Sequence, residues 1–171
     1  LPDTEVALLV CVGSTGLGMT STLHPIESGA TMVVFGAGPV ALSAIQGARI
    51  QGATKIVAVE PIAMRRQVAL KVGATDAVDP NQYGDQLVEH LRQMVRGPTD
   101  RIFAGGQSAA ANAFFASSGP DYVIEAMDRQ QYTPKAEQGP DPTGLQGLRQ
   151  VWDLIPLAGW GMTCGVGYHR D

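Results

Sequence analysis

The 171-residue sequence is poor in charge, since Asp, Glu, Lys and Arg make up 16% of it, well below the usual share of about a quarter. The net charge is −4 and basic residues form no run, which argues against nucleic acid as a partner. No apolar run reaches the roughly 18 residues that a membrane-spanning helix needs. No charged segment precedes the apolar stretch at residues 7–12, so neither a membrane partner nor a signal peptide is expected.

Cysteine is also scarce. Cys11 and Cys164 are too few for a disulfide framework and favour a reducing, cytoplasmic compartment. Glycine, by contrast, is abundant at 21 residues, which suits a parallel sheet with many tight turns. The length suits one domain with a substantial core. Because the chain starts at Leu1 and not at methionine, we expect a fragment or an excised domain of a longer protein.

The strongest signal is a strand, a glycine turn and a helix between residues 31 and 52. β-branched and aromatic residues at 31–35 indicate a buried parallel strand. The next six residues fit the dinucleotide fingerprint G-x-G-x-x-G/A, in which the glycines permit the turn and a close approach of pyrophosphate. Proline suits the first helical turn, and the amides after it lie at the positive helix end. The residues predicted around the pyrophosphate are Gly36, Ala37, Gly38, Pro39 and Val40.

An acidic residue, Glu60, ends the second predicted strand. A carboxylate in this position accepts hydrogen bonds from the adenosine-ribose hydroxyls and repels a 2′-phosphate, so the predicted cofactor is NAD and not NADP. S-adenosylmethionine-dependent methyltransferases also place an acid there and remain an alternative. A stand-alone NAD-sensing or regulatory module would share the same fingerprint and is a second alternative.

The alternation of strands and helices predicts an α/β fold, a Rossmann-type doubly wound parallel sheet. The other elements are predicted as helices over 61–72 and 83–96 and strands within 73–80, 121–126 and 159–167. His90 is expected on the helix side opposite to the apolar face. A full fold of this type has a sixth strand, which this sequence lacks, so the fifth strand is expected to be an unpaired edge.

The segment Leu8–Gly16, LLVCVGSTG, resembles the part of zinc-dependent medium-chain alcohol dehydrogenases that carries a catalytic-zinc cysteine. In that family the cysteine lies about 25 residues before the glycine fingerprint, as Cys11 does here. The family usually has glycines on both sides of this cysteine, where this chain has Val10 and Val12. The resemblance implies that Cys11 is one zinc ligand and that Thr15 lies near the nicotinamide.

The resemblance also assigns cofactor contacts along the rest of the chain. Arg65 matches a basic residue beside the adenosine ribose, although a solvated helix charge explains it equally well. Met127 and Arg129, which follow the fourth strand, are implied to lie near the cofactor. Cys164 and Val166 are implied beside the nicotinamide carboxamide, and we expect Cys164 to be a buried strand thiol without special reactivity.

The resemblance divides the chain into residues 1–24, a segment bridging from an absent catalytic domain, and residues 25–171, an NAD-binding domain truncated at its C-terminus. It implies a full-length parent, a homo-oligomer, that moves a hydride between a primary alcohol and nicotinamide with the help of zinc, with a small alcohol or aldehyde as substrate. One thiolate cannot hold catalytic zinc, which needs three protein ligands. Within this chain Cys11 is therefore expected to be a small buried apolar residue, and the chain alone to be inactive.

Two segments, residues 101–118 and 130–142, have no counterpart in the shorter members of that family. The second is polar and rich in turn residues, and it lies either at the mouth of the site or on the surface away from it. Similar insertions occur in subfamilies that resemble formaldehyde dehydrogenases or that hold NAD tightly.

Overall fold

A computed structural model describes residues 2–95, 119–127 and 160–163 of the chain. Five parallel strands form one sheet in the order β3-β2-β1-β4-β5. Their bounds are β1 Thr31–Phe35, β2 Lys55–Val59, β3 Asp76–Val78, β4 Tyr122–Glu125 and β5 Trp160–Thr163. The predicted Rossmann-type parallel sheet is confirmed, and β5 forms one edge of the sheet as described.

Strand β1 lies at the centre of the sheet. Its last residue, Phe35, is in register with Val59 at the end of β2 and with Glu125 at the end of β4. The chain runs outward from β1 to β2 and β3, and then returns to the other side of β1 for β4. The strand order therefore reverses between β1 and β4, and ligands of such sheets bind outside the carboxyl ends of the strands at this point.

The side chains of β1 and β2 alternate between two buried layers, as the period of a strand requires. One layer, which includes Met32, Val34 and Ile56, packs with buried alanines of helix α3 (Pro39–Gln51). The other layer, which includes Val33 and Phe35, packs with helix α5 (Leu87–Val95). Because both faces of the sheet are covered at β1 and β2, the last four residues of each of these two strands are buried and apolar.

Helix α4 (Ala63–Val72) joins β2 to β3, and helix α5 begins later than predicted. Two short 3₁₀ turns, Pro80–Gln82 and Gly84–Gln86, precede α5 because Gly84 adopts a φ of 48° and breaks the helical path. The expectation that His90 lies on the helix side opposite to the apolar face is also wrong. Its ring is half-buried and stacks on the Tyr83 ring, with centroids 4.0 Å apart.

Four short helical elements form the N-terminal segment: α1 (Asp3–Leu8), a π-helical turn (Leu9–Gly13), α2 (Ser14–Gly18) and a second π-helical turn (Met19–Leu23). Small residues bring this segment against α3. A Cβ added to Gly16 would lie 2.6 Å from Ser43 Cβ and 2.7 Å from Ala44 N. At Gly16 the segment thus packs tightly on α3, the helix that covers one face of the sheet. No helix in the described ranges is long and apolar enough to cross a membrane.

Candidate functional site: a glycine turn between two strand ends

The turn after β1 needs glycine at its first position. Gly36 has a φ of 101°, and a Cβ there would lie 2.7 Å from the Ala126 carbonyl oxygen. The Gly36 amide donates to the Val59 carbonyl at 2.7 Å, which holds the turn over the end of β2. A Cβ added to Gly38, in contrast, would meet nothing within 4 Å. The turn therefore packs against the chain after β4 at Gly36, and it has open space beside Gly38.

Helix α3 starts directly at this turn. Gly38 is its N-cap and Pro39 occupies the first turn, as predicted. The Leu42 amide donates to the Gly38 carbonyl at 2.9 Å and makes the first bond of the helix. The amides of Val40 and Ala41 come before it, so helix geometry gives them no intrahelical acceptor. Such a helix end attracts anions such as a phosphate.

Glu60 lies against the glycine turn and is 1% exposed. Its Oε2 accepts a hydrogen bond from the Ala37 amide at 2.9 Å, and its Oε1 accepts one from the Ile62 amide at 2.9 Å. One carboxylate thus connects the carboxyl end of β2 to the turn after β1. The sequence predicted an acid in this place, but it gave no sign that the acid bonds the turn itself.

The other neighbour of β1 also ends in a buried glutamate. Glu125 is 6% exposed, and its Oε1 accepts a hydrogen bond from the Met127 amide at 2.8 Å. Met127 Cγ lies 3.5 Å from the position that a Cβ on Gly36 would take. The structure therefore brings Met127, one of the predicted site residues, next to the first glycine of the turn.

Sequence reasoning missed a polar contact behind Glu60. Nη1 of Arg66 donates to the carbonyl oxygens of Glu60 and Pro61, each at 2.7 Å, and pairs with Asp79 Oδ2 at 3.2 Å. Arg65, the basic residue named from the sequence, lies half-buried on the same helix. A signal for the contact did exist: Asp79 follows β3 as Glu60 follows β2, and parallel strands end at the same edge.

Cys11 and Thr15 lie on the N-terminal segment, where Thr15 Oγ1 donates to the Cys11 carbonyl at 2.6 Å. The expectation that Cys11 is buried is wrong, because its side chain is exposed. The buried positions of this segment are Gly13, Gly16, Met19 and Thr20, which form the face packed on α3, and Cys11 lies off that face. Across the described ranges, no group of three or more His, Cys, Asp or Glu could hold a metal ion.

Several sequence-based expectations fall on other residues. Arg129, Cys164 and Val166 lie outside the described residues, and so do the segments 101–118 and 130–142. Their predicted roles stay predictions.

A parallel sheet of this order, with a glycine turn and a helix N-terminus at the switch point, defines a Rossmann-type nucleotide-binding fold. Residues 39–136 match the family model described as zinc-binding dehydrogenase. That match covers more than half of the chain, so the chain belongs to the zinc-binding dehydrogenase family. Membership favours a dehydrogenase over the methyltransferase alternative.

Individual relatives agree with this family. Alcohol dehydrogenase 1 of Solanum tuberosum is 39% identical over 100 residues, which are 58% of this chain and 26% of that protein. Alcohol dehydrogenase 1 of Petunia hybrida is 38% identical over 116 residues, which are 66% of this chain and 30% of that protein. The chain thus spans about three tenths of the length of the curated relatives it matches.

Solved structures show the same fold. Benzyl alcohol dehydrogenase from Acinetobacter calcoaceticus matches all of this chain over 38% of its own, with a TM-score of 0.68 and 19% identity. An alcohol dehydrogenase zinc-binding domain protein from Burkholderia ambifaria matches 98% of this chain over 36% of its own, with a TM-score of 0.66 and 25% identity. A zinc-binding dehydrogenase from Sinorhizobium meliloti bound to NADP has a TM-score of 0.55 and 24% identity, over 91% of this chain and 35% of its own.

Proposed function

We propose that this chain is the NAD(H)-binding part of an oxidoreductase that interconverts an alcohol and an aldehyde. Membership of the zinc-binding dehydrogenase family and the alcohol dehydrogenases among its relatives support the reaction class. One observation carries the cofactor assignment: the buried Glu60 carboxylate lies 2.9 Å from the Ala37 amide, at an open glycine turn beside the switch point.

The residues at the turn fit a dinucleotide. Gly38 leaves room for a pyrophosphate to approach the backbone, and the Val40 amide belongs to the positive end of α3. Glu60 would accept hydrogen bonds from the hydroxyls of the adenosine ribose, and Arg65 would lie beside the same ribose. Met127, beside Gly36, would face the cofactor in the crevice. Arg129, Cys164 and Val166 keep the roles that the family resemblance implies, towards the cofactor and its nicotinamide.

Glu60 has the chemistry for this role but is nearly fully buried. An ionised carboxylate has about four acceptor positions, of which the Ala37 and Ile62 amides use two. A ribose therefore has acceptors available, provided that the turn above Glu60 shifts enough to admit it. We expect the Ala37 and Ile62 bonds to remain when NAD binds, with the ribose hydroxyls at the other two acceptor positions.

Bound nicotinamide supplies the hydride acceptor or donor of the reaction, and this chain supplies binding and orientation. The described residues do not fit a zinc site, because Cys11 has no group of further ligands among them. We therefore assign no zinc step to this chain. Zinc in a longer parent would need ligands from a catalytic domain, with Cys11 as one of them and Thr15 nearby.

The N-terminal segment supports such a domain arrangement. Its exposed apolar side chains are Val6, Leu9, Val10, Leu17 and Leu23, at 39–72% relative exposure. A row of this kind on one short segment favours contact with more protein. We propose that residues 1–24 bridge to a catalytic domain of the same parent and residues 25–171 bind NAD, that the chain alone is inactive, and that the full-length parent is a cytoplasmic homo-oligomer.

A fluorescence titration tests the cofactor assignment. The 171-residue chain should bind NADH in the micromolar to low millimolar range, and bind NADPH at least about tenfold more weakly because of repulsion between Glu60 and the 2′-phosphate. S-adenosylmethionine at the same concentrations serves as the negative control. A folded chain that ignores NADH at millimolar concentration, or that binds S-adenosylmethionine instead, contradicts the proposal. A preference for NADPH contradicts the role of Glu60 alone.

Membership of a dehydrogenase family does not favour the stand-alone NAD-sensing module, which has a separate test. Recovery of the coding sequence on both sides of the chain decides it, because a dehydrogenase parent must supply further zinc ligands and a substrate pocket.

A further inference from the structure

We infer that Arg66 and Asp79 position the ribose-binding carboxylate: they hold the backbone of Glu60 in the place from which its side chain reaches the glycine turn. This inference rests on the proposed function, since it names a residue that acts through Glu60. Arg66 is a positioning residue, because the contacts that define it go to main-chain oxygens and to Asp79 and not to the turn.

The geometry forms one continuous polar path across three strand ends. Asp79, after β3, pairs with Arg66 at 3.2 Å. Arg66 donates to the carbonyls of Glu60 and Pro61, after β2, at 2.7 Å each. The Glu60 carboxylate then accepts from Ala37, after β1, at 2.9 Å. Each step is a hydrogen bond or an ion pair of ordinary length, so a disturbance at Asp79 can reach the turn through four residues.

Burial makes this path effective. The side chains of Arg66 and Asp79 are 19% and 17% exposed, and Glu60 is 1% exposed. In such surroundings charge-assisted hydrogen bonds are stronger than in water, and an acceptor that loses its donor is costly. Without Arg66, the carbonyls of Glu60 and Pro61 lose their cationic donor, and the turn into α4 can relax. The Glu60 side chain would then lose the fixed base from which it reaches Ala37.

The same two strands offer a matched control. Lys55 pairs with Asp76 at 2.7 Å and also joins β2 to β3, but at the amino ends of these strands. The side chains of Lys55 and Asp76 are 31% and 30% exposed. Each pair has one cation whose loss leaves an aspartate of the β3 region without its partner. The Arg66 pair lies at the carboxyl ends of the strands, where the candidate site is, and the Lys55 pair lies at the opposite ends. A purely structural role of Arg66 predicts similar consequences for both.

The first measurement needs no cofactor. Amide hydrogen exchange of the 171-residue chain should show faster exchange at Ala37 and Ile62, the two donors to Glu60, in Arg66→Met than in the wild type. The β2 amides of Val57 and Ala58 should stay unchanged. Lys55→Met should leave the amides of Ala37 and Ile62 as they are. Unchanged exchange at both amides in Arg66→Met overturns the inference, whatever the chain binds.

The second measurement is the NADH dissociation constant. Arg66→Met should weaken binding about tenfold, and Arg66→Lys about threefold or less, because an ammonium can take over donation by the single nitrogen Nη1. In a Glu60→Gln background, Arg66→Met should add less than about twofold, since both changes remove the same contact. Lys55→Met should stay within about twofold of the wild type.

The outcomes separate the inference from the function on which it rests. A wild-type chain that ignores NADH removes the proposed function, and hydrogen exchange still decides the role of Arg66. Suppose that NADH binds and that Glu60→Gln weakens this binding. If Arg66→Met then leaves the NADH affinity unchanged, or adds its full effect in the Glu60→Gln background, only the inference fails. Should Arg66→Met not fold, Asp79→Asn keeps the side-chain shape and removes the charge partner. It should show the same faster exchange at Ala37 and a smaller loss of affinity, and an unchanged Asp79→Asn overturns the path.

Discussion

Two buried glutamates flank the central strand, and they differ in what they hold. Glu60 follows the last residue of β2 and Glu125 is the last residue of β4, and each accepts a hydrogen bond from the amide two residues further on. Glu60 also reaches the turn after β1, through Ala37. The same local hydrogen bond therefore supports the strand exit on both sides, and on the Glu60 side the carboxylate also bonds the glycine turn. The local form is the same at both glutamates, so we base the proposed ribose role of Glu60 on its contact with the turn after a second strand.

The largest expected effect is at the residue between the two glutamates. Gly36→Ala should lower the free energy of unfolding by about 3 kcal/mol, because a Cβ at a φ of 101° is strained and would lie 2.7 Å from the Ala126 carbonyl oxygen. Gly29→Ala is the control, since Gly29 has a φ of 91° with nothing within 4 Å of the added Cβ. It should cost about 1 kcal/mol. Equal losses in urea denaturation would show that the contact with Ala126 does not matter.

The second prediction sets the two glutamates against each other. Glu60→Gln should weaken NADH binding about tenfold and reduce the preference over NADPH, because a side-chain amide can accept from only one of the Ala37 and Ile62 donors and no longer repels a phosphate. Glu125→Gln should change NADH affinity by less than about twofold, since its amide oxygen can still accept from Met127. Fluorescence titration measures both. Equal losses of affinity would mean that the contact between Glu60 and Ala37 does not distinguish the two glutamates.

A third prediction uses the opposite end of the same strands as a baseline. Asp121 Oδ2 accepts from the amide and the hydroxyl of Thr31, at 2.8 and 2.9 Å, and joins the amino ends of β1 and β4. Asp121→Ala should cost about 1 kcal/mol of unfolding free energy and leave NADH affinity unchanged, because the site lies beyond the other end. Urea denaturation and NADH titration of the same samples check both statements. Weaker NADH binding by a folded Asp121→Ala variant would mean that contacts at the amino ends of the strands also affect the candidate site.

Those features of the site that follow short-range rules could be predicted from the sequence. The strand before Gly36, the proline in the first turn of α3 and the acid after β2 depend on neighbouring residues, and each was placed correctly. The parallel sheet also followed, because alternating strands and helices allow few topologies. These rules suffice to locate the glycine turn between the strand and the helix before any coordinates are known.

The contacts behind the turn were not predicted from the sequence, because each depends on how one element packs against another and not on a local pattern. The bond from Arg66 to the Glu60 carbonyl depends on how α4 leaves β2, and its pairing with Asp79 depends on the neighbour strand β3. The exposure of Cys11 depends on which side of the N-terminal segment packs on α3, and small residues such as Gly16 decide that side. A spacing pattern predicts a helix, but it does not predict which face of that helix packs on the neighbouring helix through its glycines.

The smallest expected effect concerns a carboxylate that is neither buried nor near the turn. Burial raises the pKa of Asp76, but hydrogen bonds from Lys55 and Thr75 and the charge of Lys55 outweigh burial and lower the pKa below its usual value of 3.8. A lowered folded-state pKa gives stability that is complete above the unfolded-state pKa and is lost as the pH falls through the folded-state value. Asp76→Asn should therefore cost less than about 1 kcal/mol at pH 7, and this difference from the wild type should shrink below about pH 4. Urea denaturation at several pH values measures it. A difference in unfolding free energy that persists unchanged at pH 2 would mean that the charge of Asp76 is not its source. The partly exposed pair of Asp76 and Lys55 could then not be compared, as a charge interaction, with the contacts of the buried glutamates.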